Sequence, residues 1–225
     1  MRSGEHSNRK RVLIVDDHPI TRSGLVYLIS RQPDLEVCDE VDNASKAIAM
    51  LNACKPDLVL LDIALQDKSG LELIKDITAL RPGLPILVIS MHDESIYAER
   101  ALRAGARGYI MERSGGQKLM QAIRRVASGN IYLSESMSGQ VVDLLSSGRP
   151  ARARFPIEQL SDREFEVFEL VGTGLSTNEI GAKLHLSAKT VKAHRATLRR
   201  KLKMKTTAQL ISFAARWIEH EASGK

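Results

Sequence analysis

The chain has only two cysteines, Cys38 and Cys54, in 225 residues. That is too few for a disulfide framework or a cysteine-rich zinc site, so reduced thiols in a cytoplasmic protein are expected. No apolar run approaches the ~20 residues a membrane span needs. The opening MRSGEHSNRKR lacks the apolar core of a signal peptide. Acidic residues are missing from one stretch altogether: Lys189, Lys192, His194, Arg195, Arg199, Arg200, Lys201 and Lys203 follow one another with no carboxylate between them. Surface helices usually interleave both signs, so this absence points away from an ordinary solvated face.

The charge that is present is unevenly placed. Residues 151–225 hold 14 Lys and Arg against 8 Asp and Glu, while residues 1–150 hold 19 of each. The whole net charge of +6 therefore lies in the last third. A neutral module joined to a basic one suggests a polyanion partner, with nucleic acid first among the candidates. An apolar fraction of 43% is ample for packed cores, and the length suits two ordinary domains.

The first module is organised around residues 56–73, PDLVLLDIALQDKSGLEL. Leu58, Val59, Leu60 and Leu61 are apolar without alternation, as in a strand covered on both faces. Asp62 ends that run. A carboxylate there is costly unless it meets solvent or a cation. Ser69 with Glu72 reads as a capping box, opening a helix whose apolar stripe includes Leu71, Ile74 and Ile77. Strands are also expected at 11–15, around Leu35 and Val37 (an alternating edge), at 85–89 and at 107–111. Helices are expected from Pro19, at 44–53, at 94–104 stopped by Gly105, and at 116–127. Five strands alternating with five helices predict an α/β fold, a doubly wound parallel sheet, with ligands beyond the carboxyl ends of the strands.

Asp16 and Asp17 follow strand one, Asp62 follows strand three, Ser90 follows strand four, Tyr109 lies in strand five, and Gly70 stands eight residues after Asp62. In this pattern residues 11–129 resemble the receiver domain of two-component response regulators, a flavodoxin-like sheet of strand order 2-1-3-4-5. The resemblance implies that Asp62 is the phosphoacceptor and that Asp16, Asp17, Asp62 and the carbonyl of Ala64 hold Mg²⁺. It further implies that Ser90 and Tyr109 switch with the phosphoryl group. Clustered carboxylates suit a hard cation and repel one another without it. His18 reads as a helix-start histidine rather than a ligand. Two positions depart from the family: Glu112 stands where it has a lysine, and Gln66 where it usually has proline. A fourth carboxylate opposes an incoming phosphate, so weaker or slower phosphorylation is expected.

Residues 1–10 read as a flexible tail and residues 130–157 as a linker. The linker contains a short helix at 135–146, carrying Val141, Val142, Leu144 and Leu145, and a hinge SSGRPARARFP. Residues 158–225 then read as a smaller all-α domain. Ser161 with Glu164 and Ser176 with Glu179 form capping boxes. Ser187 caps a helix that follows Ile180, Leu184 and a turn at His185 and Leu186. Two helices joined so tightly make a helix-turn-helix. On the second, Val191, Leu198 and Leu202 share a core face, and Lys189, Lys192, Ala196, Arg199 and Lys203 share another.

The run LSDREFEVFELVGTGLSTNEIGAKLHLSAKTVKAHRATLRRKL resembles the LuxR/NarL (FixJ) output domain. The resemblance makes Lys192, Ala193, Arg195 and Ala196 base-proximal, and Ser187, Lys189, Thr190, His194 and Arg199 phosphate contacts. It also makes the last helix, with Leu210, Ile211, Phe213 and Trp217, a dimer face.

The expected function is a DNA-binding response regulator controlled by a sensor histidine kinase. Its partners are double-stranded DNA and a second copy of itself, and RNA polymerase is a further partner the resemblance allows. A degenerate receiver answering to a protein or small ligand is the alternative that Glu112 raises. An Mg²⁺-dependent phosphotransfer enzyme is the third class, and a basic helix-turn-helix argues against it. Self-catalysed phosphorylation and dephosphorylation do not make an enzyme in the ordinary sense.

Overall fold

In the computed structural model the described residues are 9–65, 67–135, 137–139, 156–184 and 186–223. They divide into two compact units, Met1–Ser138 and Gly139–Lys225. Gln66, His185, the tail before residue 9, the hinge through residue 155 and the apolar residues from Val141 onward lie outside the described residues. Residues 135 and 137–139 are helical.

Five strands, β1 (Lys10–Val15), β2 (Leu35–Val41), β3 (Leu58–Asp62), β4 (Ile86–Ser90) and β5 (Gly108–Met111), pair in parallel in the order β2-β1-β3-β4-β5. Helices α1 (Pro19–Ser30), α2 (Ala44–Ala53), α3 (Gly70–Leu80), α4 (Glu94–Ala104) and α5 (Gly116–Ala127) connect or follow them. Every residue of β3 and β4 is buried, whereas β2, at the edge, is only partly covered. Val12, Ile14, Leu58, Leu60, Leu87 and Ile89 join Leu25 and Ile29 of α1 and Leu119, Ile123 and Val126 of α5 in one core cluster. The alternate strand residues turn to the other face, as a pleat requires.

The chain leaves β1 for β2 on one side and returns to β3 on the other. The loops after β1 and β3 therefore part and open a crevice at the carboxyl edge. Two glycines set helix ends in this unit, and only the second of them adjoins the crevice. Gly105 ends α4 in the left-handed region at φ 119°, as expected of a glycine stop. Gly70 begins α3 so close to the loop after β3 that a Cβ would lie 2.5 Å from Ile63 Cα. The capping box expected of Ser69 and Glu72 does not form. Ser69 occupies the N-cap, but its hydroxyl makes no cap hydrogen bond, and the Gly70 N–H is satisfied by the Ile63 carbonyl at 3.1 Å instead.

The second unit contains α6 (Asp162–Gly172), α7 (Thr177–Lys183), α8 (Ala188–Lys201) and α9 (Thr207–Ser223). Both expected capping boxes are present, at Ser161 with Glu164 and at Ser176 with Glu179. Phe165 and Phe168 of α6 pack edge-on against Trp217 of α9, and Phe213 tilts against Phe168. Val191, Leu198, Leu202, Leu210 and Ala214 complete this core. Core packing thus accounts for Phe213 and Trp217, which carry aromatic contacts within the unit. Ile211, on the same helix, is exposed.

Candidate functional site

The crevice gathers carboxylates from two strand ends. Asp16 and Asp62 are 1% and 3% exposed, a severe position for ionisable groups. The backbone supplies part of the compensation. Asp16 Oδ1 accepts from the His18 N–H at 2.7 Å, and Asp62 Oδ1 accepts from the Ala64 N–H at 3.2 Å. The Arg22 guanidinium donates to the Asp16 carbonyl at 2.7 Å, holding α1 against the exit of β1. Ligand atoms of Asp16, Asp17, His18 and Asp62 all lie within 4.8 Å of one another.

His18 has two roles in this geometry. It is the N-cap residue of α1, as a helix-start histidine would be, yet its hydroxyl-free side chain makes no cap bond. Instead Nδ1 sits 2.9 Å from Asp17 Oδ1, 3.5 Å from Asp16 Oδ1 and 3.7 Å from Asp62 Oδ2. The imidazole is therefore part of the cluster, against the expectation of a helix-start histidine rather than a ligand.

Burial pushes the Asp62 carboxyl up to about 7, with negative charge on Asp16, Glu112 and Asp17 adding to it against the Ala64 N–H. Burial likewise raises Asp16 and Glu112. Glu112 stands in a short 3-10 turn after β5, and its negative charge raises the Asp62 carboxyl further. Asp16 Oδ2 is buried with no hydrogen-bond partner. An orphaned carboxylate oxygen beside further carboxylates fits a divalent cation bound by hard oxygen ligands.

Ser90 lies next to this cluster, and Tyr109 is tied to the loop that follows it. Asp62 pairs with Ile89, which places Ser90 one residue further along the neighbouring strand. Ser90 Oγ accepts from the His92 N–H at 3.2 Å, and the buried Tyr109 ring lies inward with its hydroxyl donating to the His92 carbonyl at 2.9 Å. The loop after β4 thus links the two hydroxyl residues. Asp67 is a further tie absent from the sequence reading: its carboxylate accepts from the Ala44 N–H at 3.1 and 3.2 Å, joining the loop after β3 to the start of α2.

In the second unit α8 presents the cationic face. Lys189, Lys192, Ala193 and Ala196 are exposed, while Thr190, His194, Arg195 and Arg199 are half-buried. Ser187 Oγ accepts from the Thr190 N–H at 3.1 Å and lies 2.8 Å from Thr190 Oγ1, so these two hydroxyls already close the helix start. The Arg195 guanidinium donates to Thr177 Oγ1 at 3.1 Å and ties α8 to the beginning of α7. Gly181 supports the tight turn, since a Cβ there would lie 2.7 Å from the Leu186 carbonyl oxygen.

The chain matches the response regulator receiver domain over residues 12–124 and the bacterial regulatory proteins of the luxR family over residues 158–214. It belongs to the NarL/LuxR family of response regulators. Among relatives of this response regulator, the transcriptional regulatory protein UhpA of Escherichia coli (strain K12) is 36% identical over 199 residues, covering 88% of this chain and 94% of that protein. The oxygen regulatory protein NreC of Staphylococcus carnosus is 31% identical over 208 residues, covering 91% and 96%. The structure of RcsB from Salmonella enterica serovar Typhimurium, bound to promoter rprA in the presence of phosphomimetic BeF3-, superposes with a TM-score of 0.71 at 23% identity. That match covers 92% of this chain and 99% of the other, and is a likeness of fold. The response regulator is accordingly a DNA-binding two-component transcription regulator rather than an enzyme in the ordinary sense. Among its described residues no helix is long and apolar enough to cross a membrane.

Proposed function

We propose that a sensor histidine kinase phosphorylates Asp62 and that this modification controls DNA binding through α8. The observation that carries the reading is the buried notch itself: Asp62 at the end of β3, beside Asp16 and Asp17, with Asp16 Oδ2 lacking a partner. Asp16, Asp17, Asp62 and the carbonyl of Ala64 would hold Mg²⁺. When bound, Mg²⁺ relieves carboxylate repulsion and offsets charge on the transferring phosphoryl group.

The chain's own part is positional. Ionised Asp62 attacks phosphorus with one carboxylate oxygen, the O–P bond forms, and the P–N bond to the donor histidine breaks as its imidazole departs. The Ala64 N–H steadies the attacking carboxylate. Ser90 then turns its hydroxyl from the His92 N–H toward a phosphoryl oxygen, and the inward Tyr109 ring follows the loop. Adding roughly −1.5 to −2 charge units is enough to bias such a two-state loop. Glu112 opposes the incoming phosphate, so the transfer is slower than with a lysine at that position.

In the output domain, Lys192, Ala193, Arg195 and Ala196 approach base edges, while Ser187, Lys189, Thr190, His194 and Arg199 meet the backbone. A two-fold dimer would neutralise six to eight phosphates, so log affinity falls against log salt with a slope of about −5 to −7. Labelling the wild type and Asp62→Asn with a cognate kinase or acetyl phosphate tests the proposal. Label on the wild type alone supports it, and an unlabelled wild type overturns it.

A further inference from the structure

We propose that Cys38 and Cys54 form a redox-modification site: two free thiols that oxidise reversibly to an intrachain disulfide joining strand β2 to the end of α2. They come from different elements and lie 16 residues apart in sequence, yet Sγ meets Sγ at 2.8 Å. A disulfide bond is ~2.05 Å long, so closure needs less than an ångström of sulfur travel.

Both sulfurs are delivered by irregular backbone. Val12 pairs with Val37 and Leu13 with Asp39, which leaves Cys38 as the extra residue of a bulge in a parallel ladder. Bulges between parallel strands are rare, and they re-aim a side chain. Cys54 caps α2 with its N–H on the Met50 carbonyl, and Lys55 after it turns the chain away at φ 43°. That left-handed conformation is uncommon for a residue with a side chain.

The pair is built for oxidation rather than metal binding. Among the described residues, the single group of three or more His, Cys, Asp or Glu placed to share an ion is the one around Asp62. Two sulfurs alone fall short of a tetrahedral zinc site. Burial and the neighbouring sulfur push the Cys38 thiol up to about 12, so at neutral pH it stays protonated and donates to Cys54. Oxidation is consequently slow at its first step and fast at its second, where the partner sulfur is already in contact.

With a peroxide the balance is simple. One thiol attacks a peroxide oxygen, the O–O bond breaks, and a sulfenic acid and one water form. The second sulfur then displaces another water as the S–S bond closes. A dithiol reductant reverses the step. Cys38 is half-exposed and Cys54 buried, so the oxidant reaches the pair from the β2 side.

The test treats the full chain with hydrogen peroxide and counts free thiols in denaturant, with peptide mapping under non-reducing conditions. Wild type is expected to lose both thiols, to yield one linked Cys38–Cys54 peptide, and to recover both thiols with dithiothreitol. Cys54→Ser is expected to give a sulfenic acid at Cys38 that dimedone traps, with no intrachain link. The oxidised wild type should also melt several degrees above the reduced form, a shift that Cys54→Ser lacks. Two free thiols in the wild type after a treatment that fully oxidises glutathione would overturn the proposal. So would Cys38 oxidised beyond the sulfenic acid while Cys54 remains free.

Discussion

The two halves of this regulator handle charge in opposite ways. In the receiver, Asp16 and Asp62 sit almost wholly out of water at strand ends, with few partners and with like charges beside them. In the output domain, Lys189 and Lys192 stand exposed on a helix that carries no carboxylate. Buried carboxylates hold a local electrostatic cost that a cation or a phosphoryl group can change, so they suit a switch. Exposed cations carry little such cost, and they suit a surface that meets a polyanion and answers to salt.

The largest expected effect follows from the buried side. Without a divalent cation, folded Asp62 keeps its proton up to about 7, whereas the unfolded chain loses it near the ordinary carboxylate value. Receiver stability is then greatest below that ordinary value and falls as pH rises through about 7. The loss is on the order of 4 kcal/mol if the whole shift is expressed. Mg²⁺ added at pH 8 should restore it. Circular dichroism would follow the receiver, while Trp217, the single tryptophan, reports the output domain through its contacts with Phe165 and Phe168. A tryptophan transition that moved equally with pH and Mg²⁺ would break the contrast between the halves.

Next in size is Lys192→Ala, expected to cost about 1–3 kcal/mol of DNA binding and to blur one base position. Gel shifts against single-base variants of the site would show it, with receiver melting unchanged. Arg195→Ala is a less clean probe because it also removes the tie to Thr177. Ser161→Ala removes a working cap and should cost about 1 kcal/mol in the output domain. Ser69→Ala, where the hydroxyl caps nothing, should stay within about half a kcal/mol in urea unfolding. For the rate of phosphorylation, Glu112→Lys should give a several-fold increase in acetyl phosphate labelling, because it replaces a repelling charge beside Asp62 with an attracting one.

Much of the receiver was legible because its signals are one-dimensional. The unbroken run before Asp62, the glycine after α4 and the alternation around Leu35 each depend on neighbours in the chain. The strand order came through resemblance rather than periodicity, and the pairing of the strands in the structure agrees with it. What stayed hidden depends on residues brought together only by the fold. His18 enters the carboxylate cluster because it follows β1, whose neighbour β3 ends in Asp62 3.7 Å from the imidazole. Asp67 reaches Ala44 across two connections. Cys38 meets Cys54 only because one ladder carries an extra residue. Ser69 misled for the opposite reason: its local pattern was right, but the close approach of Gly70 to Ile63 organised the helix start differently.

The most direct test of the account is DNA affinity of the full chain with and without acetyl phosphate, in Mg²⁺ and at fixed salt, for wild type and Asp62→Asn. Tighter binding on phosphorylation in the wild type alone is the predicted result. Equal affinity for both proteins under both conditions would contradict it, leaving the basic helix as a DNA-binding surface that the carboxylate notch does not govern.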